Sequence, residues 1–183
     1  FIFKDDIQKF SIDYWEINFE DRIVLQSPQA LLDQDPNGPS ITRNDIGDLI
    51  GITTTYFNED STEVRGIDYE YKRLFSLKNY GELDLTVKGT NLIEFLTPDI
   101  SDSQCLGLNC SQLIDRVGKF NFDSPTHALP ENRINAFLNW EFKNYIFGLN
   151  ARYIDGYTNN TPIPQTSIER GYSNEVKSSL LFD

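Results

Sequence analysis

VRGIDYEYKRLFSLKNYGELDLTVKGTNLIEF, residues 64–95, decides the fold. Its first half alternates. Ile67, Tyr69, Tyr71 and Phe75 fall on one face of a strand, and Gly66, Asp68, Glu70 and Lys72 fall on the other. The second half sets Leu83, Leu85, Val87, Ile93 and Phe95 opposite Asp84, Thr86, Lys88, Thr90 and Glu94. Between them, Lys78-Asn79-Tyr80-Gly81 supplies turn formers, so the two halves read as a hairpin. Each run is about 9–13 residues long, against roughly 5–6 for an ordinary globular strand. That length suits a tilted strand crossing a bilayer. The charged face cannot meet lipid and would line an interior.

Composition is compatible with this reading. The chain has 183 residues, 13% of them aromatic and none of them Met, yet only 39% hydrophobic. No run of about 18 apolar residues exists, which excludes a spanning helix but not a barrel whose strands are half polar. A net charge of −12 argues against nucleic acid as a partner, because a phosphate-binding surface needs cations. The chain begins at Phe1 with no signal-peptide pattern, so a processed precursor or a piece of a longer protein is expected.

Outward from the hairpin, residues 10–24 (FSIDYWEINFEDRIV) start another strand. Phe10, Ile12 and Tyr14 alternate, and then the apolar parity moves to Trp15, Ile17 and Phe19. A bulge or a change from lipid-facing to lumen-facing packing would each explain the switch. Ser27-Pro28 followed by QALLDQ reads as an N-capped short helix, broken by DQDPNGPS. Asp33, Asp35, Asn37 and Gly38 match the opening of a calcium loop, but Ile41 and Asn44 stand at its ninth and twelfth positions. A turn-rich loop without metal is the better reading. Residues 50–58 (IGITTTYFN) are β-prone, and Asn58-Glu59-Asp60-Ser61 is expected to interrupt them.

The connection 96–132 is long for a compact soluble domain and ordinary for the outer loop of a barrel. It carries Cys105 and Cys110 in CLGLNC, a spacing unlike a zinc knuckle. A local disulfide is expected, adding about 2 kcal/mol in the chain-entropy model, with free thiols as the alternative. His127, the only histidine, reads as a solvated loop residue. A second hairpin follows. Ile134, Ala136, Leu138, Trp140 and Phe142 oppose Asn135, Asn139 and Glu141, and Phe147, Leu149, Ala151 and Tyr153 oppose Gly148, Asn150 and Arg152. Trp140, Phe142 and Tyr153 lie near strand ends, where aromatic girdles belong. Residues 156–171 read as another outer-type loop, and 176–182 as the opening of a further strand.

The succession FSIDYWEINFEDRIV, TEVRGIDYEY, YGELDLTVKGTNLIEF and LPENRINAFLNW with LNARYIDGY resembles the barrel of TonB-dependent outer-membrane receptors, in its C-terminal part. The resemblance covers most of the chain. It implies an all-β fold: an antiparallel transmembrane β-barrel portion with about six long strands, short inner turns and long outer loops. It also implies that residues 1–183 form part of one barrel domain of about 22 strands, located in the bacterial outer membrane. A plug and a TonB-contacting box are not seen in these residues, and the chain stops at Leu181-Phe182-Asp183 rather than on a terminal aromatic strand. A fragment is therefore expected.

The partners implied are outer-membrane lipid and lipopolysaccharide, the remaining strands and plug, and the TonB complex acting through that plug. The cargo implied is a scarce nutrient: a siderophore, cobalamin, an oligosaccharide or a peptide. No cofactor, metal or catalytic group is expected. Asp68, Glu70, Asp84, Lys88, Glu94, Glu141 and Arg152 would face the lumen as a solvated or plug-facing wall, not as a glycosidase-type carboxylate pair. Ligand contacts are expected in the outer loops 25–43, 96–132 and 157–170, with Tyr157 and Asn159 as candidates for a sugar or peptide. Two other classes compete. A soluble β-sandwich would bury the same apolar residues between two sheets. An enzyme would need convergent polar groups with perturbed pKa values, which the sequence does not name.

Overall fold

The computed structural model describes residues 1–4, 7–99, 113–121, 128–159 and 164–183. Long antiparallel strands dominate. They are β1 (Ile2–Lys4), β2 (Gln8–Leu25), β3 (Ile41–Arg43), β4 (Leu49–Ile52), β5 (Tyr56–Ser76), β6 (Glu82–Pro98) and β7 (Leu113–Asp115). β8 (Asn132–Phe142), β9 (Tyr145–Ile154), β10 (Tyr157–Thr158), β11 (Glu175–Val176) and β12 (Ser179–Phe182) follow, with short helices α1 (Pro28–Gln34) and α2 (Gln165–Glu169). The main sheet runs β1-β2-β5-β6-β8-β9-β12, with β7 beside β6, and it does not close on itself. It is an incomplete antiparallel barrel.

The hairpins form where turn chemistry permits. β5 and β6 meet across a 3-10 turn at Lys78–Tyr80, and β8 and β9 meet across Lys143-Asn144. Gly81 takes φ +87°, and a side chain there would strike the carbonyl oxygen of Glu141 on β8. Only glycine satisfies both demands. Trp140 Nε1 donates to the Tyr80 carbonyl at 2.7 Å, tying the two turns together. These short connections lie at one end of the sheet, and the long ones lie at the other.

Register sorts the side chains by face. Tyr71, Val87, Ala136 and Ala151 lie in one cross-strand row, and Phe75, Leu83, Trp140 and Phe147 lie in another. The opposite face carries the row Glu70, Lys88, Asn135 and Arg152. Ile134–Phe142 on β8 spans about 27 Å along the strand, enough for the apolar belt of an outer-membrane barrel once tilted. Among the described residues, the buried apolar side chains are Val24, Ala30, Val64, Pro98 and Pro130. Tyr14, Phe147 and Leu149 are 60%, 57% and 47% exposed, so no second sheet covers the apolar face. A sandwich core is absent there.

One open alternative is decided and three expectations change. In β2 the register with β5 is unbroken from Gln8 to Glu20, so no bulge causes the parity switch after Tyr14. The faces themselves exchange character. Glu16 and Asn18 continue the Tyr14 face opposite Arg65 and Glu63, while Trp15, Ile17 and Phe19 join Gly66, Val64 and Thr62 on the other. In β6 the register slips, so that Gly66 opposes Leu92 while Arg65 opposes Glu94. Ile93 is the extra residue. Phe95 therefore shares the face of Val64, not that of Leu83, and Glu94 faces away from the lumen toward Arg65 at 2.7 Å.

The other two changes concern length. Asn58-Glu59-Asp60-Ser61 does not interrupt β5, because the ladder with β2 carries the backbone through it. The break comes earlier, at 53–55, and separates the β3–β4 hairpin from β5. That hairpin closes on Asn44, whose Oδ1 accepts from the amides of Ile46 and Asp48. The connection 96–132 also holds structure, since β7 pairs with the end of β6.

Candidate functional site

The charged face forms a wall around Glu70. Its carboxylate meets Lys72 at 3.1 Å, Lys9 at 3.5 Å and Lys88 at 3.6 Å. Three strands supply these groups: β2 gives Lys9, β5 gives Glu70 and Lys72, and β6 gives Lys88. Asp68 accepts from the Thr90 hydroxyl at 2.6 Å, and Arg152 donates to Asn135 at 3.3 Å. A concavity of about 440 Å³ lies over this wall, lined by Ser11, Asp68, Glu70, Lys88 and Arg133 among others. The sequence places Asp68, Glu70, Asp84, Lys88, Glu141 and Arg152 on this face correctly. Their carboxylates are neutralised by lysines or bound by a hydroxyl where partners are seen, which is the chemistry of a polar wall rather than of an acid/base pair.

At the long-loop end the wall turns apolar. The Trp15 ring lies flat across Gly66, where a Cβ would collide with it. Its indole Nε1 is buried without a hydrogen-bond acceptor. Ile17 and Phe19 continue the surface upward, each 46% exposed. The parity switch in the sequence signals this surface.

The outer loops are built from backbone ladders. β10 pairs with β11, matching Tyr157 to Val176. The chain 118–121 joins them: the Phe120 amide donates to the Thr158 carbonyl at 2.9 Å, and the Thr158 amide donates to Gly118 at 2.8 Å. Tyr157 is half-buried, and its ring stacks on Phe120 with centroids 6.3 Å apart and planes 20° apart. Asn159 donates its amide to the Asn174 carbonyl at 2.6 Å. Both candidates thus sit together at the long-loop end, beside an aromatic partner that sequence reasoning missed.

Below them, Asp155 fixes the exit of β9. It accepts from the Tyr153 hydroxyl and from the Asn132 side chain, each at 2.6 Å. These two donors hold its carboxyl below the usual Asp range. Arg116, only 2% exposed, donates to Thr97 at 2.9 Å, and Asn121 caps the Arg116 carbonyl at 2.9 Å. No periodicity announces Arg116, because it lies just beyond a three-residue strand, at the entry to a turn.

Asp33 and Asp35 hold no metal geometry. Asp33 accepts from Gln29 at 2.7 Å, and Asp35 accepts from the Asn37 amide in a turn. No cluster of three or more ligating side chains occurs among the described residues. Ser27 caps α1 through the Ala30 amide, as its sequence implies. Cys105, Cys110 and His127 lie outside the described residues.

The open sheet, the exposed apolar face and the charged opposite face together specify a barrel wall. Residues 1–183 match the family of TonB dependent receptor-like β-barrels. The chain belongs to that family. No curated protein and no solved structure matches it. TonB-dependent receptor barrels are typically outer-membrane proteins of nutrient transport, a family of transporters and receptors rather than enzymes. The apolar face of this receptor barrel is accordingly its lipid face, and the Glu70 wall lines its lumen.

Proposed function

We propose that this chain is the wall of an active outer-membrane transporter that captures a scarce nutrient with its outer loops. The carrying observation is the two-faced sheet, apolar without and ion-paired within, on a family member. The nutrient is a siderophore, cobalamin, an oligosaccharide or a peptide. Tyr157, stacked on Phe120, offers an aromatic face to it, and Asn159 stands two residues on. The same reading keeps a disulfide between Cys105 and Cys110, which their spacing in the sequence suggests. A plug seats against the lysine-rich wall around Glu70, further strands complete the barrel, and the TonB complex pulls on the plug to admit the cargo. Lipopolysaccharide surrounds the outer end.

Uptake tests this reading. Cells lacking the receptor should lose growth on one of the four nutrient classes. Dissipating the proton-motive force should stop import while leaving surface binding intact. Import that continues without that force would remove the TonB-driven reading. Tyr157→Ala should weaken binding of the imported compound about tenfold, the loss of one aromatic contact of roughly 1.4 kcal/mol.

A further inference from the structure

We propose a phospholipid site on the lipid face of β6, β8 and β9, at the short-turn end, selective for an anionic headgroup. It rests on the barrel reading above. Leu77, Leu83, Leu138, Trp140, Phe147 and Leu149 line a groove of about 330 Å³ there. Leu85, Leu138 and Leu149 form one cross-strand row, and Leu83, Trp140 and Phe147 form the next toward the turns. The groove thus runs from the turn end toward the middle of the apolar belt, the course of an acyl chain from its headgroup. Trp140 is fixed as its wall. Its Nε1 donates to the Tyr80 carbonyl, and its ring stacks against Phe147 at 5.5 Å and Phe142 at 5.9 Å.

Charge chooses the headgroup. Lys143 sets its ammonium 5.1 Å from the Phe142 ring, on the lipid side of the β8–β9 turn. Arg73, in the row of Leu85, folds its guanidinium over Phe75 at 4.7 Å, one row nearer the turns. Both cations keep apolar stems against the belt and carry charge to its rim. The carboxylates at this end, Glu82, Asp84 and Glu141, belong to rows of the lumen face. The lipid face is therefore cationic at its rim, although the chain carries −12. Short turns mark the periplasmic side of such barrels, whose leaflet is phospholipid. A phosphatidylglycerol-like lipid supplies both the chain and the anion; a zwitterionic lipid supplies the chain alone.

The complete receptor, purified in detergent and shown to be folded by its heat-modifiable electrophoretic mobility, should be titrated with phosphatidylglycerol and with phosphatidylethanolamine under native mass spectrometry. Phosphatidylglycerol should bind more tightly. Arg73→Gln and Lys143→Gln should each lower that preference about fivefold, as expected for one interfacial charge. Leu138→Trp, which fills the groove, should reduce retention of both lipids. Equal binding of the two lipids by folded receptor, or an unchanged preference in the Arg73→Gln/Lys143→Gln double variant, would overturn the site. Tighter retention of lipopolysaccharide at the same residues would also overturn it. A receptor that is folded and water-soluble without detergent would instead defeat the barrel reading beneath it.

Discussion

At Leu85 and Thr86, adjacent residues carry opposite instructions. Leu85 shares the apolar row of Leu138, and Thr86 pairs with Phe137 on the lumen face. Leu85→Arg puts a second charge into the lipid-facing row that already holds Arg73 and should cost about 1–2 kcal/mol, between the interfacial and midplane values, whereas Thr86→Arg should cost little beyond local packing. Denaturant titration of folding into liposomes measures both; equal costs would sink the face assignment. Asp155 gives a pH signature. Its folded pKa is depressed by Tyr153 and Asn132, so its contribution is complete above the ordinary Asp value of about 3.9 and is lost as pH falls through the folded value. The Asp155 amide, which donates to the Asn132 carbonyl at 2.9 Å, should lose hydrogen-exchange protection across that acid window, after correction for intrinsic rates. Asp155→Asn should flatten the response, and an acid loss that survives the substitution would assign it to another group.

At the scale of the element, alternation made β5, β6, β8 and β9 legible, because a strand between lipid and lumen must place unlike residues on its two faces. The same logic located the Glu70 wall from residues 68–72. It failed where the environment changes along a strand. Glu94 and Phe95 were misplaced because one extra residue, Ile93, reverses every face beyond it. The three-residue strands β1, β3 and β7 are set by pairing partners rather than by period, so their sequences carry no comparable signal. Tyr157 was readable as a loop aromatic. Its Phe120 partner was not, since the 36 residues of intervening chain have no local pattern to bring them together. Gly81→Ala puts a Cβ into the Glu141 carbonyl at positive φ and should destabilise the β5–β6 turn by about 1–3 kcal/mol. A variant as stable as the parent, by the same titration, would mean that the two turns are not packed as described.

For the molecule as a whole, the sheet's openness matters most. β1 covers only part of β2, and β12 covers only the 151–154 portion of β9. Unpaired amides and carbonyls along the remainder cannot be left in lipid. Further strands must therefore pair with both edges in the membrane, and isolated residues 1–183 should not form a closed barrel by heat-modifiable mobility. A closed, heat-modifiable species from these residues alone would contradict that. The central claim, that one face of this sheet meets lipid and the other a watery lumen, is tested most directly along β8. Nitroxide labels placed singly from 134 to 141 in the bilayer-embedded receptor should alternate. Oxygen accessibility should peak at 134, 136, 138 and 140, and accessibility to a water-soluble relaxation agent should peak at 135, 137, 139 and 141. Absence of a two-residue period, or a period of opposite phase, would contradict the barrel wall.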